Sequence, residues 1–391
     1  MGPEPVEEPN GEATTVSIAR CCSRHYFHFA RSIRKRIVLY AVAEYIKACV
    51  IWGWEASCTA YKSGNGYDWQ DSRYNTFCLA FSGSLDSSAF HQTETKFGAC
   101  KMNEGNNYFE SMDTREELAL VYKEALTKFL QIWNDHLKAQ VEEALETGKS
   151  VLFTGHSVGG GIATLATLAI LEERGMDAPV FAITFGFPLI GDEVLARADR
   201  RQGWANHFFN IVTKGDVFAR TPLVPCDSVC RFLEFFLPHW RKSLEQMNDD
   251  DMDIFMEPVE WGFPQYLRTI LCQALAEFNF ISITNMEGAK KLESAFNISP
   301  YRPFGYYLFC SEKGALCVGN DEAELVLPIL YNSLANFEDE ASISDHINYG
   351  RLFHANTNIV NLEGLPILPL SQGAPSSALE IRQDFFEFGI Q

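Results

Sequence analysis

Five residues, Gly155-His156-Ser157-Val158-Gly159, set a serine between two glycines, each two positions away. A serine hydroxyl attacks a carbonyl efficiently only when a histidine takes its proton and a carboxylate fixes that histidine. Further along, Lys214-Gly215-Asp216 supplies a carboxylate, and Ser344-Asp345-His346-Ile347-Asn348-Tyr349 supplies a histidine in a polar loop before an aromatic. Asp192, in PLIGDEV, is the second carboxylate candidate, and His239 is the second histidine candidate. The chemistry of such a set is acyl transfer, with Ser157 as nucleophile, Asp216 as acid and His346 as base. Its charged intermediate needs two N–H donors. One belongs to Val158, directly after the serine; the other is offered by Ser84, in Phe81-Ser82-Gly83-Ser84-Leu85. Gly155 and Gly159 let a strand and a helix approach at the turn, and His156 is expected to face the core or flank the cleft. Chemistry of this kind calls for no metal and no organic cofactor.

Such residues act only if elements position them. VLFT (151–154) reads as a strand, and an Ala/Leu/Thr-rich helix follows, closed by Gly175. Together they form a nucleophile elbow, a sharp strand-to-helix turn that points the positive end of the helix at the serine. Further strands are expected at Thr76–Phe81, Val180–Phe185 and His207–Thr213, the last ending just before Asp216. A long helix is expected over Arg115–Glu146, from the roughly 3.6-residue spacing of Leu118, Val121, Tyr122, Ala125, Phe129, Ile132, Leu137 and Val141. Gly305–Cys310 and Ala315–Val318 read as a hairpin around Ser311-Glu312-Lys313-Gly314. Strands alternating with helical stretches give an α/β fold, here an α/β-hydrolase.

Composition narrows the rest. The 391 residues are 47% hydrophobic, enough for a substantial core, and their net charge of -19 argues against a nucleic-acid partner. Eleven cysteines without CxxC pairing or framework spacing are expected to be reduced thiols, Cys310 and Cys317 among them. Residues 1–60 form an N-terminal extension with a basic amphipathic stretch (Arg20, Arg24, Arg31, Lys35) and an apolar run, IVLYAVAEYIKACVIWGW (37–54). Glu44 and Lys47 interrupt that run, each costing roughly 2.5–3.5 kcal/mol at a bilayer centre, so a buried helix is expected and no integral membrane span. The acidic run Asp249-Asp250-Asp251-Met252-Asp253 lacks the glycine and glutamate of a calcium loop and reads as solvated.

The motifs FSGS, TGHSVGG, TFGFPLIGD, KGD followed by Pro222, and the late HxxY together resemble the class 3 (fungal-type) lipases. More closely, VEEALETGKSVLFTGHSVGGGIATLAT (141–167), SPYRPFGYYLFCSEKGALCVGNDEAELVLPILY (299–331) and SDHINYGRL (344–352) resemble the plant enhanced-disease-susceptibility family of lipase-like immune regulators. The resemblance covers roughly residues 70–352. It implies a lipase-like domain over 61–355 with a helical insertion at 228–295 between the acid and the histidine; beyond it, Pro366, Pro369, Pro375 and scattered Gly and Ser make 356–391 read as an irregular tail. Ser157, Asp216 and His346 are the implied triad. The implied function is disease-resistance signalling through hetero-complexes with a sister lipase-like protein, in cytoplasm and nucleus. The alternative is an active serine hydrolase with an acyl-ester substrate. Family members also carry a second, all-helical domain, whose functions are not carried over to this chain. Pairing in the family uses an apolar helix, for which Phe232–Leu237 and the stretch around Tyr266–Phe280 are both candidates; the same insertion could serve as a lid over the serine.

Overall fold

The computed structural model describes residues 35–61, 63, 66–73, 75–83, 95, 97–114, 116–187, 189–213, 219, 222–223, 299–311, 314–319, 326–327, 330 and 367–369, the side chains of 35–46, 69–72, 311, 314 and 367–369 excepted. Apolar segments such as TFCLAF, VFAITF and FFNIVT carry almost no polar positions, the pattern of strands covered on both faces. They form the middle of an eight-stranded sheet in the order β1-β2-β5-β6-β7-β8-β9-β10. Its strands are β1 (Tyr67–Arg73), β2 (Thr76–Phe81), β5 (Ser150–His156), β6 (Val180–Phe185), β7 (Phe208–Thr213), β8 (Tyr306–Ser311), β9 (Gly314–Val318) and β10 (Ile367–Pro369). Pairing is parallel from β2 through β8 and between β9 and β10, and antiparallel for β1–β2 and β8–β9. A separate antiparallel pair joins β3 (Ala99–Lys101) to β4 (Leu120–Tyr122).

Helices cover the two faces. Along β5 the side chains alternate, and Thr154 faces α1 (Lys35–Ala60), whereas Gly155 abuts α4 (Val158–Arg174). The helix α1 comes close enough that a Cβ on Gly53 would stand 3.0 Å from Thr154 Oγ1. There Ser57 Oγ donates to the Gly53 carbonyl at 2.7 Å and Thr154 Oγ1 lies 3.2 Å from the same oxygen, so the polar groups at this crossing are satisfied. Trp52, Trp54, Ala56 and Ala60 complete the buried face. The α/β body therefore takes in residues that the sequence reading assigned to an extension. No helix among the described residues is long and apolar enough to cross a membrane.

The expected long helix over Arg115–Glu146 is corrected by the structure. It is a strand and two helices: β4, α2 (Lys123–Ile132) and α3 (Asp135–Glu146). Trp133 breaks the spiral with ψ 67 and inserts its ring against Phe129 and Phe153, centroids 5.4 and 5.9 Å away. Asn134 then caps α3, its side chain accepting from the Leu137 N–H at 3.0 Å. Leu118, expected on the buried face, is exposed. The hairpin is observed as β8 and β9, and no disulfide joins the described cysteines, Cys310 and Cys317 included. Cys310 lies opposite Ala315, and Cys317 opposite Leu308.

Candidate active site

The strand β5 ends at His156 and α4 begins at Val158, leaving Ser157 alone in the turn. Its φ is 55 and its ψ -133, a conformation that costs an L-residue on the order of 1–3 kcal/mol and persists only where the surroundings hold it. The surroundings are tight. The Ser157 N–H donates to the Phe185 carbonyl at 2.8 Å, and its own carbonyl accepts from the Gly160 N–H at 2.8 Å. A methyl on Gly155 would lie 2.3 Å from the Gly159 carbonyl carbon, and one on Gly159 would lie 2.2 Å from the Phe81 carbonyl oxygen. Both glycines are thus required by space.

Gly159, in the first turn of α4, touches the backbone of Phe81 and Ser82. The helix start carrying Val158 is thereby packed on the chain leaving β2, two residues before Ser84 in sequence. Gly83, the next residue, is buried and lies close to the His156 carbonyl. Ser84 lies outside the described residues, as do Asp216, His346, His239 and the whole 228–295 stretch. Asp216 follows the end of β7 by three residues in sequence.

The rival carboxylate has a structural task. Asp192 caps α5 (Glu193–Gln202), its Oδ1 accepting from the Leu195 N–H at 3.1 Å, and burial pushes its carboxyl above the ordinary range despite that bond. His156 is buried as expected, its Nδ1 2.9 Å from the Tyr61 hydroxyl and its ring met edge-on by Trp54 at 5.7 Å. Neither Tyr61 nor Trp54 stood out in the sequence; the Tyr61 contact spans 95 residues and no local pattern announces it. Asn210, on β7, is also part of the support. Its side chain accepts from Thr184 Oγ1 at 2.9 Å and donates to the Phe304 carbonyl at 3.2 Å, pinning β6 and the approach to β8 together.

With this geometry in place, comparisons with known proteins give a consistent picture. The class 3 lipase family matches residues 79–225. Protein EDS1L of Arabidopsis thaliana is 31% identical over 318 residues, covering 76% of this chain and 49% of that protein. Lipase-like PAD4 of the same plant is 33% identical over 247 residues, 63% of this chain and 30% of the relative. Senescence-associated carboxylesterase 101, also from Arabidopsis thaliana, is 35% identical over 108 residues, covering 25% of this chain and 20% of its own length. The chain spans about half the length of the EDS1-type relatives it matches. Among solved structures, Rhizomucor miehei triacylglyceride lipase superposes with a TM-score of 0.31 at 16% identity, covering 55% of this chain and 75% of that one.

Proposed function

The lipase-like region of this chain belongs to the EDS1 family of lipase-like proteins, and from that premise we propose that the protein is a lipase-like regulator of plant disease-resistance signalling. In this reading it works in a hetero-complex with a sister lipase-like protein, in cytoplasm and nucleus. The observation that carries the reading is the 31% identity over 318 residues to an EDS1-type protein, far beyond the 79–225 segment common to class 3 lipases. A net charge of -19 fits a protein partner better than a nucleic acid. The test is co-expression with sister lipase-like proteins, followed by mass measurement of the purified species. A one-to-one complex at micromolar concentration supports the reading; a chain that stays alone with every sister protein offered overturns it.

A second reading is favoured by one specific feature, the strained backbone of Ser157. Strain of this kind is retained where a nucleophile must be presented, and it supports a serine ester hydrolase acting on acyl esters. In that mechanism His346 deprotonates Ser157, the serine attacks the ester carbonyl, and Val158 with Ser84 holds the oxyanion. Asp216 orients His346, and water then releases the acyl group. A fluorophosphonate probe reports such a serine directly. Label on the intact protein, lost in Ser157→Ala and His346→Ala, with ester turnover falling on the order of 10⁴-fold, supports this reading. Equal turnover in intact protein and Ser157→Ala removes it.

A further inference from the structure

We infer that Tyr61 is a positioning residue, whose hydroxyl fastens the chain leaving α1 to the nucleophile elbow and to the loop that opens at Gly83. The turn that follows α1 is already sewn to the end of β2. The Ser63 N–H donates to the Ala60 carbonyl at 3.2 Å and the Gly66 N–H to the Ser63 carbonyl at 3.4 Å. The Gly66 carbonyl then accepts from both the Ser82 N–H, at 2.9 Å, and Ser82 Oγ, at 3.1 Å. Tyr61, on this turn, reaches the other side of the site. Its oxygen is 2.9 Å from His156 Nδ1 and 3.4 Å from the His156 carbonyl oxygen.

One proton arrangement uses both contacts. Nδ1–H donates to the tyrosine oxygen, and the tyrosine O–H donates to the His156 carbonyl. The residue immediately before Ser157 is therefore held at its ring and at its backbone by a group from the turn that follows α1. Gly83, two residues past β2, lies against the same hydroxyl with no room for a side chain: a methyl there would stand 2.2 Å from Tyr61 Oη and 2.9 Å from the His156 carbonyl oxygen. Trp54, about two helical turns before Tyr61, meets the imidazole edge-on. Ser157 is fixed from the opposite side by Phe185 and Gly160. Tyr61 thus sets the distance between the elbow, where Val158 begins α4, and the chain that carries the second oxyanion donor. An oxyanion site tolerates displacements of only about half an ångström, so one hydroxyl on a neighbouring turn decides whether it is assembled.

The decisive variant is Tyr61→Phe in the full chain, which removes the oxygen and leaves the ring. Amide exchange is read residue by residue. The Ser82 amide is expected to exchange about tenfold faster, with Ala182 and Ile183 in β6 unchanged. The kinetic arm rests on the acyl-transfer reading of Ser157. The fluorophosphonate reaction forms a bond from Ser157 Oγ to phosphorus, expels fluoride and passes the serine proton to the base. In Tyr61→Phe its bond-forming rate constant should fall about tenfold, while the half-saturating probe concentration stays put and the melting temperature falls by at most about 4 °C. Gly83→Ala drives a methyl into the same contact with the tyrosine oxygen intact, and should produce the same pair of changes. Unchanged Ser82 exchange in both variants overturns the inference, since a hydroxyl that only fills space would leave it so. An intact protein that takes up no probe counts against the acyl-transfer reading alone, and the exchange arm still decides the role of Tyr61.

Discussion

Asp199 lies on α5 with 0% of its surface exposed, and among the described residues neither carboxylate oxygen meets a hydrogen-bond partner. Burial pushes its carboxyl up to about 7, with the neighbouring Arg200 charge pulling the other way. In the unfolded chain the same group titrates near 3.9, so from about pH 4 to pH 7 the unfolded state releases a proton that the folded state keeps. Stability from this group is complete below about pH 4, falls as pH rises, and levels off above about pH 7. The loss amounts to up to about 4 kcal/mol. Asp199→Asn should abolish that component, so that urea unfolding at pH 5 and pH 8 differs less in the variant than in the parent. An identical pH difference in both proteins would place the effect elsewhere. Nothing in LARADRRQ distinguishes this aspartate from a solvated one, because burial is decided by what packs on the helix and not by its own spacing. Ser157 is the opposite case. Its glycine neighbours are demanded by backbone contacts within a few residues and to β2, and that demand is written locally.

Among elements, α1 shows how a helix can be read correctly and assigned to the wrong place. Its interrupted apolar run predicts a buried helix, and Trp52, Trp54, Ala56 and Ala60 are buried against the sheet. What the run does not reveal is its partner, since the face that covers β5 and β2 is specified by shape across about a hundred residues. Trp54 packs edge-on to Phe185 at 5.1 Å and to His156 at 5.7 Å. Trp54→Ala should therefore destabilise the protein by about 3–5 kcal/mol, measured by urea unfolding. A cost below about 1 kcal/mol would mean that α1 is an appendage. The α2–α3 break failed to show for a related reason. Both helices bury one face in the same core, so the 3.6-residue spacing runs on across Trp133, and only the capping residue Asn134 marked the restart.

Taken whole, the molecule is an α/β-hydrolase whose central strands announced themselves because parallel strands covered on both faces are short, apolar and bounded by turns. The bounds of β2 and β6 coincide with the sequence expectation, and β7 begins one residue later, at Phe208, because His207 closes a short 3-10 turn. The sharp strand-to-helix turn at Ser157 was equally legible. Its supports from α1 were not, since they depend on which helix the fold lays behind the elbow.

The pairing of β7 with β8 has one more consequence. Phe209 lies beside Tyr306 and Thr213 beside Cys310, so the chain leaves the sheet at Thr213 and rejoins it one strand over. Departure is at one end of this parallel pair and return at the other, so the intervening chain must cross back along the sheet, but beyond that minimum the cost of closing a loop grows only with the logarithm of its length. The sheet is indifferent to how much chain is strung between those points. A lineage can lengthen, shorten or exchange that stretch while the hydrogen-bond ladder on either side keeps its alignment, which makes it the part of the molecule where new binding habits can be acquired most cheaply.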